Sequence, residues 1–108
     1  MLMMHGLSSE DIGYITKTME ACPAIRKAIL FGSRAKGNWK NGSDIDLALV
    51  GDKVDWSIVS DILMKLEEES PMPYLFDVID YQAISNPELK AHIDRAGIVL
   101  YEQSAKSP

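Results

Sequence analysis

The sequence predicts an α/β (α+β) fold, a small mixed β-sheet of about four strands backed by helices. Three observations lead there. Four apolar runs have strand length and sit among glycine, proline and polar residues; three longer stretches repeat apolar residues at helical spacing; and the two kinds alternate as αβ(α)βαβαβ, with no repeat and no linker. At 108 residues the chain is expected to form one domain spanning 1–108, with a core at about 25–101 and a frayed tail at 103–108.

Each element has a local cause. Ser8 can cap a first helix, Asp11 answers it three residues later, Leu7 can staple onto Ile12, and Ile12, Ile15 and Met19 recur at helical spacing before Pro23. Ala28–Phe31 is a short apolar run stopped by Gly32-Ser33, the pattern of a buried strand. A loop or single helical turn follows through Gly37 and Gly42, and Ile45–Val50 forms a second strand closed by Gly51. Asp55 is placed to cap a helix with Ile58, Val59, Ile62, Leu63 and Leu66 on one face. Glu67, Glu68 and Glu69 stand at its negative dipole end, where fraying is expected. Tyr74–Asp80 reads as a third strand after the Pro71–Pro73 turn. Asn86 caps a helix whose first residue is Pro87 and which stops at Gly97, and Ile98–Tyr101 is the last strand.

Composition narrows the function. No run approaches the roughly 20 apolar residues of a membrane span, and the start MLMMHGLSSED lacks a basic leader pattern, so no membrane role and a cytoplasmic location are expected. A lone cysteine, Cys22, makes no internal disulfide, and no Cys/His spacing suggests zinc. The net charge of −5 disfavours direct binding of a nucleic acid by phosphate neutralisation. Arg34, Lys36 and Lys40 nevertheless gather in one loop, a local positive field suited to a nucleoside triphosphate.

The most informative phrase is FGSRAKGNWKNGSDIDLALV, in which Gly32-Ser33 is followed by ten residues and then Asp44-Ile45-Asp46. On a strand, residues i and i+2 share a face, so Asp44 and Asp46 point together while Ile45, Leu47 and Leu49 point into the core. Two such charges about 5 Å apart repel by roughly 3 kcal/mol at an effective dielectric near 20. Carboxylates paired in this way call for a cation. Two other motifs fail: a P-loop requires Gly-Lys where Gly37-Asn38 stands, and an EF-hand from Asp44 would need oxygen ligands at Ala48 and Val50.

The phrase resembles the minimal (MNT) nucleotidyltransferases of the DNA polymerase beta-like superfamily. Gly32, Ser33, Arg34, Ala35 and Gly37 match the first half of that signature, and Ser43, Asp44, Ile45, Asp46 and Leu47 the second. Phe76-Asp77-Val78-Ile79 matches the context of the family's third carboxylate. The resemblance implies a polymerase beta-like fold and transfer of a nucleoside monophosphate from a triphosphate, with ATP as the expected donor. It implies that Asp44, Asp46 and Asp77 hold two Mg²⁺ ions, that Asp77 also draws the acceptor hydroxyl toward deprotonation, and that Gly32, Ser33 and Arg34 bind the nucleotide. Bland readings stand beside these: a strand-edge cap for Asp44, an outward strand residue for Asp77, a plain turn for Gly32-Ser33, and a surface ion pair for Arg34. Asp80 has the opposite strand parity and is the weaker candidate. Trp39 could stack on a base or meet a partner, while His5, His92 and Cys22 read as structural or surface residues.

Relatives that modify antibiotics carry a further helical region for the acceptor, so the resemblance implies an acceptor that is very small or supplied by another protein. Small transferases of this kind pair with HEPN-type helical toxins as antitoxins, in some pairs by attaching AMP to a toxin tyrosine. A non-catalytic binding antitoxin, or a small-molecule adenylyltransferase with a pocket formed across a homo-oligomer, are the alternatives. A minimal sheet with one open face would favour such self-association.

Overall fold

The computed structural model describes residues 6–37 and 44–103. Its elements are α1 (Ser9–Glu20), β1 (Lys27–Phe31), α2 (Ser33–Lys36), β2 (Ile45–Val50), α3 (Trp56–Glu68), β3 (Phe76–Asp80), a 3₁₀ turn (Tyr81–Ala83), α4 (Pro87–Ala96) and β4 (Ile98–Glu102). The readings of His5, Trp39, Lys40, Gly42, Ser43 and residues 104–108 lie outside the described residues.

Helix starts follow the cap chemistry of the sequence. Ser8 Oγ accepts from the Asp11 amide, and the Asp11 carboxylate accepts from the Ser8 amide, both at 3.1 Å. Asp55 Oδ1 accepts from the Ile58 amide at 3.0 Å, and Asn86 Oδ1 from Glu88 at 2.9 Å and Leu89 at 3.3 Å. Each cap satisfies amides that the first helical turn leaves unpaired.

The sheet order is β3-β2-β1-β4. β1 runs antiparallel to β2 and β4, and β2 runs parallel to β3, which makes the sheet mixed. Leu30, Ile45, Leu47 and Leu49 pack with Ile15 and Met19 of α1 and Ile62 and Leu66 of α3. The expected open face is covered in part, because Ile93 of α4 packs on Phe31 and Ala48. Among the described residues no helix is long and apolar enough to cross a membrane.

Two expectations are corrected. α3 does not fray at its glutamates: it extends through Glu68, and the Glu69 amide closes it onto the Lys65 carbonyl at 3.3 Å. The end is tied down from outside, since Tyr14 Oη donates to the Glu69 carbonyl at 3.0 Å and Glu67 Oε2 accepts from the Phe76 amide at 2.7 Å. These contacts outweigh a dipole penalty of a few tenths to 1 kcal/mol. β3 begins at Phe76 rather than Tyr74, because its partner strand β2 begins at Ile45, which pairs with Phe76.

Candidate active site

Strand parity and register assemble the acidic residues. In β2, Ile45, Leu47 and Leu49 are fully buried, which turns Asp46 to the opposite face. Its neighbours across the sheet are Phe31 on β1 and Asp77 on β3. Because β2 and β3 are parallel and in register there, Asp46 and Asp77 emerge side by side on one face. The Ile45 amide donates to the Leu75 carbonyl at 2.9 Å, and Glu67 holds the Phe76 amide, so the start of β3 is fixed on both sides of the chain. Asp44 lies one residue ahead of β2 and is exposed, as is Asp77.

The Gly32-Ser33 turn lies against this pair. Gly32 has φ +77 and ψ −152, backbone that residues with a side chain avoid. A Cβ added there would overlap Asp46 Oδ2. Two constraints thus meet at one residue, a left-handed turn and close approach to a carboxylate. Ser33 opens the single turn of α2, and Gly37, at φ 86, closes it with its amide on the Ser33 carbonyl at 3.1 Å.

The site is electrostatically tense. Asp46 is pushed up to about 6, first by burial and then by the negative charges of Asp77 and Asp44, with Arg34 pulling the other way. Among the described residues no three histidine, cysteine or acidic side chains close into a group that could hold a metal ion. Repulsion between like charges is a sufficient reason for the carboxylates to stay apart. An all-oxygen donor set on one face, with two of its three side chains exposed and able to swing, fits a hard divalent cation such as Mg²⁺.

Arg34 is not at the surface. At 2% exposure it is among the largest fully buried side chains. Its guanidinium lies 5.0 Å from the centroid of the Tyr74 ring. Tyr74 Oη donates to Asp11 Oδ2 at 3.2 Å, the same carboxylate that caps α1. A chain of contacts therefore runs from the cap of α1 through Tyr74 to the arginine of the Gly-Ser turn. Lys36 is exposed, Asp80 caps the 3₁₀ turn by accepting from the Gln82 amide at 3.1 Å, and His92 and Cys22 are half-buried.

Asp11, Glu67 and Tyr74 were missed as supports of the site. Only Glu67 left a readable signal: a glutamate at a helix C-terminus is unfavourable unless something bonds it. The Tyr74 contact makes a graded prediction. Tyr74→Phe, which removes one hydrogen bond, should cost about 1 kcal/mol, and Tyr74→Ala, which also uncovers Arg34, roughly 2–3 kcal/mol. Urea unfolding measures both, and a Phe variant as unstable as the Ala variant would contradict the stacking role.

The sequence matches the polymerase beta nucleotidyltransferase family over residues 14–106. It is 26% identical over 97 residues to the probable protein adenylyltransferase MntA of Haemophilus influenzae, covering 90% of this chain and 84% of the relative. A crystal structure of a toxin-antitoxin with AMP-PNP superposes with a TM-score of 0.71 at 22% identity, covering 85% of this chain and 73% of the other. A tri-AMPylated Shewanella oneidensis HEPN toxin in complex with its MNT antitoxin gives 0.66 at 20% identity, covering 87% and 71%. At these identities the solved structures establish the fold.

Proposed function

Because this chain belongs to the polymerase beta nucleotidyltransferase family, we propose that it is a protein adenylyltransferase that moves AMP from ATP to a hydroxyl of a HEPN-type toxin, as the antitoxin of the pair. The observation that carries the reading is the register match of Asp46 with Asp77 beneath a glycine turn with no room for a side chain. A purely binding protein has no use for that arrangement, which costs it both strain and repulsion. The relative's name and the AMPylated toxin complex support the direction of transfer and the kind of acceptor.

Asp44, Asp46 and Asp77 would hold two Mg²⁺ ions, which when bound neutralise the phosphates and favour loss of the acceptor's proton. Asp44 and Asp46 face the side of the donor phosphates. Asp77, exposed on the edge strand, is where the acceptor hydroxyl arrives, and its carboxylate orients that hydroxyl for attack on the α-phosphorus. The hydroxyl oxygen bonds to phosphorus, pyrophosphate leaves, and the hydroxyl proton passes to solvent. Gly32 lets the backbone come close to the phosphates, Ser33 offers its hydroxyl and amide, and Arg34 lends positive charge from within. A reaction that draws on ATP would act in the cytoplasm, the location proposed for the pair.

Incubating the chain and the product of the adjacent gene with Mg²⁺ and ATP labelled at either the α- or the γ-phosphate tests the reading, with that product as the toxin candidate. Label should enter the toxin from the α-position only. Entry from the γ-position would make the protein a kinase, and entry from neither would leave no transferase on this partner.

A further inference from the structure

Away from the acidic site, an apolar groove of about 680 Å³ runs along the outer edge of β3. Trp56 and Leu63 of α3 form one wall, Ile84 and Leu89 the other, and Val78 and Ile79 the floor. Trp56 is 81% exposed, the most exposed large apolar side chain among the described residues. An exposed tryptophan beside a concave apolar surface is the composition of a binding anchor, not of a solvated helix face.

Charge selects the occupant. The wall segments, residues 55–65 and 78–90, carry Asp55, Asp61, Asp80 and Glu88 against Lys65 and Lys90. Lys65 and Asp61 pair with each other at 3.2 Å and Lys90 lies over the Tyr81 ring at 4.9 Å, which leaves Asp55, Asp80 and Glu88 as the acidic excess. An occupant must therefore be apolar on one side and cationic at its margins. Shape selects further. α3 and the 84–89 segment flank β3, and Glu67 already takes the Phe76 amide, so the edge offers side-chain surface more than a bare ladder. An amphipathic helix meets such a trough with one row of apolar residues and keeps its charges at the rim.

We propose that this groove docks a basic amphipathic helix of the protein that carries the acceptor hydroxyl. The proposal rests on the adenylyltransferase reading above and adds the place where the acceptor protein is held. Asp80, which also lines the groove, lies three residues beyond Asp77, roughly 10 Å along the strand. A helix seated there delivers a hydroxyl on a neighbouring segment to Asp77 without occupying the nucleotide site. Docking energy then lowers the KM for the protein acceptor and leaves the use of ATP unchanged.

The test uses the full chain with a HEPN-type acceptor protein that it labels, with labelling rates measured against acceptor and against ATP concentration. Trp56→Ala should raise the KM for the acceptor roughly 30-fold, the scale of a central aromatic anchor, with the KM for ATP unchanged. Trp56 lies outside the core, so its loss leaves the fold intact, and an unchanged unfolding curve checks this. Asp61→Lys should also raise the acceptor KM at low salt and flatten its salt dependence. Val99→Ser, on the far edge strand and 48% exposed, should change neither constant. Wild-type kinetics in Trp56→Ala overturn the groove while leaving the enzyme reading intact. Failure of the wild type to bind or label the acceptor overturns both.

Discussion

Replacing Asp46 with asparagine is expected to stop transfer and to make the metal-free protein more stable above pH 6. The folded carboxyl is held near 6 against an ordinary value of 3.8, chiefly by burial and then by Asp77 and Asp44. The folded state therefore binds more protons than the unfolded chain between those values. Its share of stability is complete below about pH 4 and is lost as pH rises through about 6. An amide of the same shape never ionises and escapes that loss. Melting temperatures from pH 4 to 8 should fall with pH in the wild type more than in Asp46→Asn. Mg²⁺ should restore the wild type at high pH and leave the variant unmoved. Activity should drop by at least about 10²–10³-fold, the scale of losing one group that stabilises charge in the transition state. A variant less stable than the wild type at pH 7.5 would show that Asp46 serves the fold.

Gly32→Ala should be nearly as damaging for a different reason. Its backbone conformation costs a residue with a side chain about 1–3 kcal/mol, and the new Cβ falls on Asp46 Oδ2. The carboxylate must move, and a displacement of about 1 Å at a reacting centre can cost on the order of 10²-fold in rate. Gly37 supplies the control, since it also has positive φ but a Cβ there meets nothing within 4 Å. Gly37→Ala should lose about 1–2 kcal/mol of stability with activity nearly intact. Equal activity losses in the two alanine variants would mean that strain alone, and not contact with Asp46, explains the glycine.

The parts of the fold that depend on neighbours in sequence were legible. Ser8, Asp55 and Asn86 cap their helices as read, and the alternation around Ile45 put Asp46 on the face away from the core. Asp77 was singled out only by its resemblance to the context of a family carboxylate, and its alignment with Asp46 follows from the parallel register. What escaped depends on pairs distant in the chain. Arg34 looked like a loop cation because nothing near it in sequence says that Tyr74, forty residues on, covers it. Glu67 looked like a frayed end because its partner amide belongs to the next strand. Asp11 read as a cap and no more, although the same carboxylate also holds Tyr74. The groove was invisible for the same reason, since its walls and floor come from α3, β3 and the start of α4. Periodicity reports which face a side chain takes, and only the assembled sheet reports what it meets there.

The central claim is that Asp44, Asp46 and Asp77 form one transferase site acting on a partner toxin. The most direct measurement is the intact mass of the toxin after co-expression with the wild-type chain and with Asp44→Asn/Asp46→Asn. Whole AMP increments are expected on the toxin with the wild type, none with the double variant, and loss of protection from toxicity in the variant. An unmodified toxin beside the wild type, with protection surviving in the double variant, would contradict it and leave neutralisation by contact.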